Sequence, residues 1–127
     1  MGKRPLVRRR GRGGRQFRAT TIGKLAPAKY PSFALSEQHE GKIIDLVHER
    51  GREAPLSKVR FENGSICYMP AVIGTKVGSK IQIGLNAEIA NGNIISIQNI
   101  PDGTIVCNLE KHFGDGGAIS KSAGNYA

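Results

Sequence analysis

The sequence predicts a mainly β protein in three parts. These are a basic, extended N-terminal arm over residues 1–36, a small five-stranded OB-like barrel over 37–100, and the opening of a second β unit over 101–127. Three observations lead there. Residues 1–36 carry ten of the 19 lysines and arginines and none of the 10 carboxylates. The segment from 41 to 99 breaks into short runs of β-branched and apolar residues separated by turn signals, without sustained helical periodicity. Finally, 17 of the 127 residues are glycine, well above the usual ~7% and in keeping with a turn-rich β chain.

The arm opens with "MGKRPLVRRRGRGGRQFRA", which holds eight basic residues and four glycines. Its apolar residues (Leu6, Val7 and Phe17) are too few and too far apart to build a core, and Gly11, Gly13 and Gly14 raise the entropic cost of a fixed helix. Free in solution it is expected to be disordered. A guanidinium is always charged and grips two phosphate oxygens at once, so this concentration of arginine points to nucleic acid. The formal charge of +9 for the whole chain agrees.

Other readings of a basic leader fit poorly. "PLV" is too short for the apolar run of a secretory signal, and the glycine cluster disfavours the amphipathic helix of a transit peptide. No apolar stretch approaches the ~20 residues that span a bilayer. A polybasic membrane contact would lack an accompanying apolar face or lipidation signal. A soluble, intracellular protein is expected.

The barrel strands follow in order. "GKIIDLVHE" (41–49) opens after a glycine, and "PLSKVRFENGSICYMP" reads as a hairpin. In it Val59 and Phe61 face one way, Lys58, Arg60 and Glu62 face the other, and Asn63-Gly64 makes the tight turn. Pro70 ends the returning strand. Next come "AVIGTKVGS" as a connection, "KIQIG" as the fourth strand and, beyond Asn91-Gly92, "NIISIQNI" as the fifth. Five short strands in about sixty residues suit a small closed barrel with a limited core. Lys58 and Arg60 share its outer face, and "ERGRE" adds Arg50 and Arg52 at the rim as candidate phosphate contacts.

Past Pro101-Asp102-Gly103, "TIVCNLE" (104–110) reads as a strand and "GDGG" (114–117) as a flexible loop rich in backbone N–H groups. "SKSAGN" then offers hydroxyls, an ammonium and an amide able to reach phosphate or ribose.

Nothing in the chain has the spacing of a catalytic or metal centre. Cys67 and Cys107 stand apart and read as reduced, buried thiols inside strands, and His39, His48 and His112 are scattered. "GTKVGSK" lacks P-loop spacing and a following helix, "GRGGRQ" fails a dinucleotide fingerprint at Gln16, and "NGS" is a turn. No enzyme activity, cofactor or small-molecule substrate is expected.

"GRGGRQFRA", "GKIIDLVHERGREAPLSKVRF" and "PDGTIVCNLEKHFGDGGAISKSAGNYA", in that order, resemble the archaeal and eukaryotic branch of ribosomal protein L two, an rRNA-binding protein of the large subunit. The resemblance runs along essentially the whole chain, and "GTIVCNLE…GDGG…SAGNYA" is its most specific part. It implies an arm that enters large-subunit rRNA, an OB-like barrel, and an SH3-like barrel of which 101–127 would be the start. It also implies a place in the cytoplasmic ribosome and a role in joining the subunits and supporting the peptidyl-transferase region. Large-subunit rRNA, neighbouring ribosomal proteins and small-subunit contacts would be the partners, with no membrane.

On that pattern Arg8, Arg9, Arg10, Arg12, Arg15 and Arg18 fall in the rRNA-penetrating arm, with Lys3, Arg4 and Lys24 as further candidates. Arg50, Arg52, Lys58 and Arg60 fall on the first barrel, and Ser120, Lys121, Ser122 and Asn125 in the rRNA-facing loop of the second. The family continues for about another hundred residues with a histidine-containing loop. The chain is therefore expected to be the front half of the pattern, as a fragment, a split gene product or a truncated record. The alternative reading is a free-standing OB-type module for single-stranded nucleic acid. Such modules stack bases on exposed aromatics, and this chain has only seven aromatic residues.

Overall fold

A computed structural model describes residues 2, 3, 5, 7, 10–33 and 37–127. Its centre is one antiparallel sheet of four strands: β1 (His39–Val47), β2 (Leu56–Phe61), β3 (Ile66–Pro70) and β4 (Lys80–Ile83), in spatial order β3-β2-β1-β4. The fold is mainly β, as expected.

Alternation sets the sheet's two faces. Val59 and Phe61 on β2, Ile43 on β1, Met69 on β3 and Ile81 on β4 are buried together, while Arg60, Lys42 and Lys80 are exposed on the other side. Tyr30, Phe33, Cys67, Ile83 and Ile94 pack around that cluster, and Phe33 meets the Phe61 ring edge-on at 5.1 Å between centroids. The β2–β3 hairpin forms as read, with Leu56 opposite Pro70 and Arg60 opposite Ile66. Gly64 takes the positive φ of 81° that its turn requires, and the Asn63 side chain accepts the Ser65 N–H at 2.9 Å. β1 starts two residues earlier than its apolar run because His39–Lys42 also pair with β4. A bulge between Ile43 and Asp45 then shifts the register against β2.

The expected fifth strand does not form. Within "NIISIQNI" only Ile94 makes a bridge, to Ile83, and Ile97–Asn99 is a short 3-10 turn. Asparagine side chains take over the partners that a ladder would use. Asn93 accepts the Gln82 N–H at 3.0 Å and donates to the Glu88 carbonyl at 2.9 Å, and Asn99 donates to the Leu85 carbonyl at 2.9 Å. The described sheet is therefore open and four-stranded rather than a closed five-stranded barrel. Its β3 edge carries a single parallel bridge from Ala28 to Tyr68.

"TIVCNLE" is likewise not a strand. Asn108 sits at φ 53°, which ends extended backbone, so pairing is reduced to one bridge between Leu109 and Ile119, a bond from Asn108 N–H to Ser120 O and a reciprocal pair of bonds between Val106 and Ala127. "GDGG" is pinned by its own acids. The Asp115 carboxylate accepts the N–H groups of Lys111, His112 and Gly117, and Glu110 accepts those of Gly114 and Gly116. The cysteines are half-buried rather than buried, and Cys107 lies outside any strand. Burial pushes the Cys67 thiol up to about 11, which leaves it protonated and unreactive near neutral pH.

Candidate nucleic-acid interface

Arg10, Arg12, Arg15 and Arg18 are all exposed, on a segment whose one regular feature is a 3-10 turn at Arg15–Phe17 that buries nothing. Phe17 N–H donates to the Gly14 carbonyl at 3.1 Å, and the Arg18 guanidinium donates to Gly13 at 3.4 Å. Lys3 and Lys24 are exposed too. Arg4, Arg8 and Arg9 lie outside the described residues. The ion pairs among the described residues are His39–Glu37 and Arg52–Glu49, so the described arm arginines carry no carboxylate partner.

The arm's root is fastened at two places. At the first, Glu49 is only 3% exposed. Its carboxylate accepts the Arg52 Nε–H at 2.7 Å and the Leu25 N–H at 3.2 Å. The Arg52 hydrogen bond is the chief reason that the carboxyl stays below the usual carboxylate range, outweighing burial, with Lys24 adding its charge. Gly23, at φ 80°, lets the chain turn beneath Arg50, whose Cβ lies 3.1 Å from where a Gly23 Cβ would stand.

At the second fastening, residues 28–30 run between β3 and the tail. Lys29 N–H donates to Tyr68 O and Tyr30 N–H to Gly116 O, both at 3.1 Å. The Tyr30 hydroxyl donates to Asn108 O at 2.7 Å, and burial holds that hydroxyl well above its ordinary pKa. The Lys121 ammonium donates to the carbonyls of Ala28 and Gly117. Burial, then the nearby Arg52 and Lys29 charges, lower the Lys121 pKa.

The sequence-predicted residues thus separate by environment. Arg10, Arg12, Arg15, Arg18, Arg50 and Arg60 have exposed guanidinium groups without an ion-pair partner among the described residues, and Arg18 is held only by its bond to Gly13 O. Arg52 is committed to Glu49, and Lys121 to backbone carbonyls. Lys58 is half-buried on β2, opposite Asp45. Ser120 adopts φ 52° and is half-buried, whereas Ser122 and Asn125 are exposed in a turn closed by Asn125 N–H donating to Ser122 O at 3.1 Å.

Sequence reasoning missed Glu49, because a lone carboxylate in "ERGRE" gives no sign that it will be buried. It also missed Lys42 and Lys80. Their alternation with Ile43 and Ile81 was visible, but the register that places both beside Arg60 was not. Away from this basic surface, Ile43, Met69, Ile81, Ile105 and Leu109 line an apolar cleft between the sheet and the tail. Among the described residues no cluster of three His, Cys, Asp or Glu side chains could hold a metal, and no helix is long and apolar enough to cross a membrane.

Comparison with known proteins bears on this basic surface. Residues 90–127 match the family described as "Ribosomal Proteins L2, C-terminal domain". The large ribosomal subunit protein uL2 of Cenarchaeum symbiosum is 71% identical over all 127 residues, and that of Nitrosopumilus maritimus is 73% identical over 128 aligned positions. The Sulfolobus acidocaldarius protein of the same name is 48% identical over 127 residues. In each case the match covers 100% of this chain and 52% of the relative, so the chain spans about half the length of the curated relatives it matches. The front-half expectation is qualified by this match, because from residue 90 onward the chain carries part of the domain named as C-terminal. Along its entire length the chain is similar to about half of the large ribosomal subunit proteins named uL2.

Proposed function

We propose that this chain is a structural rRNA-binding component of the large subunit of the cytoplasmic ribosome. Its basic arm would enter folded rRNA while the β body fixes the point of entry. The observation that carries this reading is the set of exposed guanidinium groups at Arg10, Arg12, Arg15 and Arg18 that form no ion pair among the described residues, fastened at their root to the sheet through Glu49 and residues 28–30. Arginines without a carboxylate partner among the described residues are available to neutralise phosphates, and the backbone of an RNA supplies these at close spacing. Lys3, Lys24 and Arg50 extend the same surface in this reading, the sequence pattern assigns Arg4, Arg8 and Arg9 to the same role, and Ser122 and Asn125 contribute polar contacts from the tail.

The domain division belongs to the proposal as well: arm over 1–36, OB-like body over 37–100, and the opening of an SH3-like unit over 101–127. In the OB-like reading, the bridges at Ala28 and Ile94 mark the two edges where the open sheet would be covered on assembly. Support for subunit joining and for the peptidyl-transferase region follows from the family resemblance and goes with membership of the particle. No catalytic role is proposed. The single-stranded alternative is weaker, because Phe61 is buried and Tyr68 half-buried, leaving the sheet few stacking platforms.

The test is the salt dependence of binding to a large-subunit rRNA transcript. Replacing Arg10, Arg12, Arg15 and Arg18 by glutamine is expected to flatten the slope of log K against log salt by about 3, at roughly 0.7 to 0.9 per phosphate released. An unchanged slope removes the arm from the interface. Tighter binding to an unstructured oligonucleotide than to the transcript favours the single-stranded alternative.

A further inference from the structure

Three cations stand side by side across the outer face of the sheet. In the β1–β2 register Lys42 is directly opposite Arg60, and in the β1–β4 register the same Lys42 is directly opposite Lys80. All three are exposed. Directly opposed residues share a face with their Cβ atoms about 5 Å apart, and like charges in that position destabilise a sheet. Neighbouring strands lie about 4.8 Å apart, so the row is about 10 Å across.

The carboxylates on this face leave the row unneutralised. Glu40 accepts a hydrogen bond from the Gln82 amide at 3.1 Å, and Asp45 accepts the N–H of Leu46 at 2.8 Å. Glu62 is exposed in the turn just past the end of β2. None of the three forms an ion pair with the row, since the pairs among the described residues are those of His39 and Arg52. The remaining cation of the face, Lys58, lies opposite Asp45. Stability alone gives no reason for a line of three unpaired cations, whereas a linear polyanion laid across the strands would reward it. A helical nucleic-acid strand presents one phosphate per about 3.4 Å of its axis, so a 10 Å row meets about three.

We propose that Arg60, Lys42 and Lys80 form a second phosphate-binding row. One rRNA backbone strand lies across β2, β1 and β4 and is held there independently of the arm. This rests on the RNA-binding reading above, and it adds two residues, Lys42 and Lys80, that the sequence pattern did not single out.

The experiment uses the full chain and, as probe, a mixed-sequence RNA stem-loop titrated at several salt concentrations. The row variant (Lys42→Gln, Arg60→Gln, Lys80→Gln) is expected to bind at least tenfold more weakly at low salt. Its log K against log salt should be flatter by about 2. The single Lys111→Gln control, exposed and outside the sheet, should change little. Thermal melting of the row variant should be at or above that of the parent, because repulsion has been relieved, so any loss of binding cannot be loss of fold.

The row and arm readings fail separately. If the row variant matches the parent in affinity and slope while the arm glutamine variant loses binding, the row is overturned and the arm stands. If the arm variant matches the parent and the row variant loses binding, the arm reading fails and the row stands. Weaker binding of the row variant to phosphatidylserine vesicles with undiminished RNA affinity overturns the row in favour of a membrane surface. A parent chain that does not bind the stem-loop overturns both.

Discussion

Gly41 on β1 is a position where one carbon atom would decide the packing. A Cβ placed there would lie 2.8 Å from Phe61 Cδ1 and 2.9 Å from Val59 Cγ1, inside van der Waals contact with two buried side chains of β2. The Phe61 ring is already fixed against Phe33 and cannot swing away cheaply. Gly41→Ala is therefore expected to destabilise the fold by about 1–3 kcal/mol, the usual cost of overpacking a filled core. A lower urea midpoint with an unchanged m value would show it. From the sequence this glycine reads only as the start of a strand. That it must be glycine follows from a cross-strand partner twenty residues away, which local pattern cannot reveal.

At the scale of elements, Glu49 joins the turn after β1 to the base of the arm. Its folded carboxyl is depressed, so the stability it contributes is fully present above the ordinary glutamate value of about 4.3 and is lost as pH falls through the lower folded value. The melting temperature of the parent should fall across that acid range more steeply than that of Glu49→Gln. At neutral pH Glu49→Gln should cost about 1–3 kcal/mol, the worth of a hydrogen bond to a charged group. Parallel acid profiles for the two proteins would show that the carboxylate is not what holds the arm's root. The hairpin from Leu56 to Pro70 was legible because alternation and an Asn-Gly turn are local signals that agreed. The fifth strand was misread because Asn93 and Asn99 capture backbone groups from Gln82 to Glu88 with their side chains. An apolar run does not show this competition. The arm's charge was legible outright, whereas the division of its neighbours into available and committed cations was not, since Lys121 is spent on a carbonyl remote in sequence and Arg52 on a carboxylate whose burial no local pattern shows.

For the whole molecule, residues 28–30 tie the sheet to the tail through Tyr68, Asn108, Gly116 and Lys121. Tyr30→Phe deletes only the hydroxyl that donates to Asn108 O, so it should lower stability by about 1 kcal/mol. It should also speed hydrogen exchange at the Tyr30 amide, which donates to Gly116 O. The parent should weaken further in strong alkali than this variant. A hydroxyl whose folded pKa is raised stabilises the fold below its ordinary value of about 10, and that contribution disappears as pH climbs through the folded value.

The same clasp sets when the basic segment can be anchored during synthesis. Residues 28–30 leave the tunnel early, but their acceptor at Asn108 and their donor at Lys121 are made some eighty to ninety positions later. Until those arrive, the four strands can pair while the cationic leader swings without its hinge, exposed to any polyanion nearby. Closure over so long a loop is slow, so the arrival of Asn108 and Lys121 decides when the basic segment acquires a direction.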